Sequence, residues 1–287
     1  MSATTTTGDK NFRIKIRIGR VALYVAAYLI LAFIVVPVLF AILGGFRTTG
    51  QIAADPVGLP NPWVFTSYKA TLTLPAFWRQ MFNSTLIALI TTSVVLPVAS
   101  LAAFVIARYR FRGRESFYTL FTLGLLFPVA VAIIPLFIVL RQIGMLNNPL
   151  GIALAQAAFA LPLSIVILRP FLRSIPRDLE DAASIDGCTT FRFYWSVILP
   201  LSRPALATVA ILTIVTSWNA FLLPLLVLIQ PEQWTLPIGV NNISAQYTSD
   251  TARVLAYTSL SIIPALFFYF LTERQIVRGL TAGSLKG

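Results

Sequence analysis

Six apolar stretches dominate the chain: Val21–Gly45, Ser84–Ala107, Phe117–Leu140, Leu150–Leu168, Pro204–Ile229 and Val254–Leu271. Each is near or above the roughly 18–20 residues that a helix needs to cross about 30 Å of hydrocarbon. Backbone polar groups in lipid must be paired internally, so only helices or a closed barrel can span it. A barrel would show ten-residue alternation, and the sequence has none. The expected fold is therefore all-α: a polytopic membrane protein with a bundle of six transmembrane helices. Composition agrees, with 57% hydrophobic and 11% charged residues, against roughly 45–50% and 25% in soluble domains. The first stretch is too long for a signal peptide and lacks a small-residue cleavage pattern, so it is read as a span.

The net charge of +12 is explained by topology. With the N-terminus inside, the inner segments carry five cations in Lys10–Arg20, four in Arg108–Arg114, five in Arg169–Arg203 and three in Arg274–Lys286, which is 17 of the 22 Lys and Arg. Cytoplasmic loops retain positive charge, so this split puts both termini in the cytoplasm. Trp63, Trp78 and Trp234 fall in outer segments, where indole suits a membrane–water boundary. Basicity is thus not a sign of nucleic-acid binding. The polar start, Met1–Lys10, is expected to be irregular, and Arg13–Arg20 to anchor the first span at the lipid surface.

Several chemistries are excluded. The chain has no histidine and one cysteine, Cys188, which rules out Cys/His zinc sites, His-based catalysis and an internal disulfide. "GFRTTGQ" (45–51) lacks the Lys-Ser/Thr of a phosphate-binding loop, so any ATP is bound by another chain. No Asp, Glu, Lys or Arg lies deep in a span, whereas ion-coupled carriers keep such a group to bind the coupling ion. Pro37, Pro97, Pro128, Pro135, Pro162, Pro224 and Pro264 fall within spans, as in kinked helices lining a path or in ordinary membrane helices. Asn83, Gln156 and Asn219 are equally suited to contact a hydroxylated solute in a translocation pathway or to bond helix to helix.

Only ten residues are acidic, yet Asp178, Glu180, Asp181 and Asp186 fall within nine positions of the longest inner loop, Arg169–Arg203. Ser174 is the expected cap of a helix whose first turns hold Pro176 and these carboxylates, where the helix dipole favours them. Leu179, Ala182, Ala183 and Asp186 share one face by the i, i+3, i+4 rule, and Gly187 suits a left-handed helix end. Thr189 or Thr190 then caps a second helix, with Phe191, Tyr194, Trp195 and Ile198 on one face, which Pro200 is expected to end. Bent helix pairs also read DNA, but this acidic first helix would repel phosphate. A handle gripped by a cytoplasmic protein fits best.

"LEDAASIDGCTTFRFYWSVILPLSRPAL" (179–206) resembles the EAA loop of ATP-binding-cassette (ABC) importer permeases, with Asp181 where Glu is usual and Cys188 where Ala is usual. "PLFIVLRQIGMLNNPLG", "SWNAFLLPLLVL" and "TLPIGV" are similar to the carbohydrate-uptake branch of that family. "ERQIVRGLTAGSLKG" (273–287) looks like the end of MalG-like subunits of maltose-type importers. Gln51 and Ala220 depart from acids common in that branch.

The resemblance implies a non-catalytic, binding-protein-dependent permease subunit for di- or oligosaccharide in a bacterial or archaeal cytoplasmic (inner) membrane. Its partners would be a second homologous permease, two ATPase subunits that bind ATP and Mg, an extracytoplasmic solute-binding protein and membrane lipid. The implied coupling set is Asp178, Leu179, Glu180, Asp181, Ala182, Ala183, Asp186 and Gly187. Gly279, Leu280, Thr281, Ala282 and Gly283 form an implied ATPase-contacting tail. The expected organisation is a basic tail (1–20), a permease domain (21–273) with outer segment 47–81 and cytoplasmic coupling loop 169–203, and a C-terminal tail (274–287). An ion-coupled secondary transporter is the alternative.

Overall fold

A computed structural model describes the backbone of residues 7–282 and the side chains of residues 23–267. Fourteen helices follow in order: α1 (Thr7–Gly44), α2 (Thr49–Ala54), α3 (Thr66–Leu72), α4 (Pro75–Arg108), α5 (Arg114–Gly124), α6 (Val129–Gln142), α7 (Pro149–Ser174), α8 (Asp178–Ile185), α9 (Thr190–Phe193), α10 (Leu199–Leu201), α11 (Arg203–Trp218), α12 (Leu222–Val227), α13 (Leu236–Gln246) and α14 (Thr251–Ala282). There is no strand among the described residues. The chain divides into two compact units, residues 1–71 with 247–260, and residues 72–246 with 261–287.

In the first unit, α1 begins at Thr7, so Thr7–Lys10, expected to be irregular, is helical and continuous with the basic Arg13–Arg20 segment. From Leu23 to Phe40 the apolar side chains of α1, apart from half-buried Val38, are exposed within the chain, as a lipid-facing helix requires. The outer segment is tightly held. Arg47 is buried and its guanidinium donates to the carbonyls of Gln51 (2.6 Å), Asp55 and Pro56 (3.3 Å). Thr48 caps α2 reciprocally with Gln51, whose Nε2 also donates to Asn61 O at 2.6 Å. Phe46 is ringed by Trp63, Phe65 and Tyr68 at 5.4, 5.3 and 4.3 Å.

The second unit is built on α4 and α7. On α4, Val95, Ala99, Ala103 and Ala107 recur every fourth residue and are buried against Ala157, Ile165, Leu168 and Leu172 of α7. Four-residue spacing stacks side chains on one face, and methyl-sized groups let two helix axes approach closely. Ile87, Ile152, Ala153, Leu223 and Val227 form a second cluster toward the other end of the pair.

Two of the six expected spans are not continuous. The third is α5 and α6, bent by 97° at Leu125–Pro128. Pro128 cannot supply the next helical N–H, and Gly124 lets Pro162 approach closely, a Cβ there meeting the Pro162 ring at 3.2 Å. The fifth span is α11 followed by α12 after a break at Asn219–Phe221. The helix α11 has 16 residues, or about 24 Å, which is short of a full crossing. By length and composition the described residues hold three spanning helices, or up to five if each bent pair counts as one; α14 carries a further, shorter apolar stretch.

Pro200 does not end the second loop helix. Between α9 and α10, Tyr194–Ile198 form one π turn in which Leu199 N bonds Tyr194 O. This wide turn accommodates the missing proline donor, and the chain bends by 75° only at Ser202. The Tyr194 hydroxyl, 2.6 Å from Ser100 Oγ of α4, fixes the turn to the core.

Candidate functional site

The acidic loop forms a projecting helix. No residue of α8 is buried, and Asp178, Glu180 and Asp181 occupy its first turn, where the dipole favours them. Ser174 is not its cap: it is the last residue of α7 and its hydroxyl donates to Phe171 O. Arg177 stands at the cap position without a side-chain bond.

The other end closes as the sequence suggests. Gly187 has φ +69°, with Gly187 N bonded to Ser184 O and Cys188 N to Ala183 O at 2.8 Å. These two bonds are the Schellman pattern, which satisfies the last carbonyls. Thr189 caps the following helix through Arg192 N.

The face expected to be apolar and shared by Leu179, Ala182 and Ala183 is divided. Ala183 is half-buried and packs, with Cys188, against the chain's own core. Leu179 (40% exposed), Ala182 and Ile185 (86% exposed) remain outside. Ile185 was not singled out from the sequence; its place one turn after Asp181 was the available signal.

Two buried arginines hold the base of this helix and its surroundings. Arg108 ends α4 and donates to Glu180 of α8 and to carbonyls following α7. Arg169 of α7 donates to both Glu115 oxygens at 2.6 Å and lies 3.8 Å over the Tyr118 ring. Glu115 precedes the apolar stretch Phe117–Leu140, and hydrogen bonds from Arg169 and then Arg114 hold its carboxyl below its ordinary value.

A cavity of about 410 Å³ opens between α4, α6, α7, α11 and α12. Its wall is mainly apolar, with Phe159 and Phe221 beside Thr91, Gln156, Thr213 and Ser217. Gln156 Oε1 accepts from Ser217 Oγ (2.5 Å) and Thr91 Oγ1 (3.3 Å), while its buried Nε2 has no partner among the described residues. Of the three polar residues considered for a pathway, only Gln156 reaches this cavity.

Asn83 instead donates to Glu232 O (2.8 Å) and Trp234 O (3.0 Å). Exposed Asn219 donates to Val215 O within its own helix end. Asn147, unremarked in the sequence, adopts φ +54° and accepts from Ile229 N and Gln230 N through Oδ1. Asn83 and Asn147 thus hold the segment between α12 and α13. In the implied tail, the backbone of Gly279, Leu280, Thr281 and Ala282 continues α14, their side chains lie outside the described set, and Gly283 lies outside the described residues.

Residues 95–277 match the family described as binding-protein-dependent transport system inner membrane component. The chain is 34% identical over 255 residues to a diacetylchitobiose uptake system permease protein of Streptomyces coelicolor, covering 88% of this chain and 84% of that one. It is 33% identical over 261 residues to a trehalose transport system permease protein of Mycobacterium tuberculosis, covering 90% and 95%. A chain of a bacterial ABC transporter that imports the acidic polysaccharide alginate shares the fold, with a TM-score of 0.77 at 22% identity over 95% of this chain and 99% of that one.

Proposed function

From the premise that the chain belongs to the family of binding-protein-dependent transport system inner membrane components, we propose that it is the permease subunit of an ATP-driven importer of a di- or oligosaccharide. The observation that carries this reading is the identity of about a third, across nearly nine-tenths of the chain, to permeases named for sugar uptake. A solute-binding protein outside the membrane is part of the proposal, supported by a fold neighbour, an alginate transporter, solved in complex with its periplasmic protein. A second permease, ATPase subunits that hold ATP and Mg, and inward-facing termini complete it. Gln156 Nε2, without a partner among the described residues, and the two phenylalanines of the cavity suit a sugar, which offers oxygen acceptors and apolar ring faces.

In this reading α8 is the handle that the ATPases move. Shifting a two-state equilibrium from 1:99 to 99:1 takes about 5.5 kcal/mol of differential interaction. Surface ion pairs at about 0–1 kcal/mol each fall short. Burying the 86% exposed Ile185 and the 40% exposed Leu179 on a partner, scaled from about 1.5–3 kcal/mol for a fully exposed side chain, contributes roughly 2–4 kcal/mol, the larger part of that difference. Ile185 therefore takes the place first given to Ala183 in the ATPase contact, with Leu179, Ala182 and the Gly187 bend. Among the described residues no Asp or Glu is buried, which disfavours an ion-coupled carrier.

The test is uptake of a labelled disaccharide by proteoliposomes holding the co-purified complex and its binding protein. Uptake should stop when the ATPase subunits are inactivated and persist with a protonophore; the opposite pair of results would favour the secondary transporter.

A further inference from the structure

Glu180 belongs to a motif expected to face another protein, yet its carboxylate turns inward. Arg108 is 6% exposed, and its Nε and Nη2 lie 3.0 and 2.9 Å from Glu180 Oε2. The same guanidinium donates to Ile175 O (2.7 Å), and more distantly to Pro176 O (3.4 Å) and Leu172 O (3.5 Å). Three elements therefore meet on one side chain: the end of α4, the end of α7 and the start of α8. The carbonyls after α7 would otherwise lack donors, as the last groups of any helix do. A planar guanidinium with five N–H groups can serve a carboxylate and several carbonyls together, whereas a lysine ammonium could not.

We infer that Arg108 and Glu180 form an intrachain clamp that passes displacement of α8 directly to α4 and α7. Arg108 is thus a positioning residue for coupling, and Glu180 is not among the carboxylates that face the ATPase. Without the clamp, the non-helical link Ile175–Arg177 would absorb part of any movement of α8. Through α4 the clamp also reaches the cavity, because Arg108 and Thr91 lie on one helix, 17 residues or about 26 Å apart. The inference rests on the functional reading above.

The experiment uses the full complex in proteoliposomes and measures solute moved per ATP hydrolysed for Arg108→Gln and Glu180→Gln. Coupling free energies between sites correspond to roughly 5–150-fold effects, so this ratio should fall at least about fivefold. The ATPase subunits should still co-purify in unchanged proportion, and amides of Asp178–Ile185 should exchange hydrogen faster while those of α4 do not. Arg108→Lys, which keeps the charge but not the fork, should fall between wild type and Arg108→Gln.

An unchanged ratio overturns the clamp. Loss of the ATPase from the Glu180→Gln complex also overturns it, since that carboxylate would then belong to the partner's face. Should Arg108→Gln fail to accumulate in the membrane, Glu180→Gln carries the test, because it leaves the carbonyl contacts of Arg108 in place. Uptake by the unmodified complex without ATP would remove the functional reading instead, and hydrogen exchange in α8 would still decide the clamp.

Discussion

Gly187 offers a perturbation whose cost comes from the backbone alone. It sits at φ +69°, and a Cβ built there meets nothing within 4 Å. Side-chain volume therefore has no part in the outcome; only the left-handed conformation does. That conformation costs an ordinary L-residue about 1–2 kcal/mol, less for Asn, and more for a β-branched side chain. Gly187→Ala and Gly187→Leu should cost nearly the same despite their difference in size. Gly187→Asn should be milder, and Gly187→Val the most severe.

The readout is hydrogen exchange at the Gly187 and Cys188 amides, whose bonds to Ser184 O and Ala183 O close the helix. Each 1.4 kcal/mol corresponds to about a tenfold change in an opening equilibrium, so Ala and Leu should accelerate exchange by roughly 5- to 30-fold. If Leu proves far worse than Ala, or Val matches wild type, the backbone explanation is refuted and a contact on Gly187 must be sought.

Other predictions concern the outer segment and the cavity. Gly45→Ala should destabilise by about 1–3 kcal/mol, because its Cβ would lie 2.7 Å from the Tyr68 ring, itself held by a bond to Ile42 O. Gly44→Ala, opposed by the flexible end of Leu255, should cost less in the same thermal melts. Arg47→Gln should release the loop between α2 and α3 at a cost of at least about 2 kcal/mol, read as faster proteolysis near Asp55–Asn61. Gln156→Leu should raise the KM for sugar uptake several-fold while ATPase subunits co-purify as before; an unchanged KM separates the cavity from the solute path.

The six apolar stretches, the left-handed Gly187 and the Thr189 cap were legible because each depends on local rules of length, periodicity or backbone preference. The breaks at Leu125–Pro128 and Asn219–Phe221 were not, since hydropathy averages across a bend and a proline announces a missing donor without saying how it is absorbed. The π turn before Pro200 shows the same limit: its geometry is stabilised by Tyr194 reaching Ser100, ninety-four residues away. Glu180 and Ala183 were placed on the right helix, but the Arg108 partner of one and the core contact of the other were not legible, because helical spacing says which residues share a face and not which face meets the core. The partners of Asn83 and Asn147 were hidden for the same reason, being long-range.

One proline sits between the two working ends of α4. Pro97 removes a rung from the ladder between Thr91 and Arg108, six residues from the first and eleven from the second. A rod with one weak joint loses stroke there, and whatever flexing occurs at that joint is work that never arrives. In the proposed importer, the fuel spent for each molecule carried would then depend on stiffness at a single residue, remote from both the fuel and the cargo.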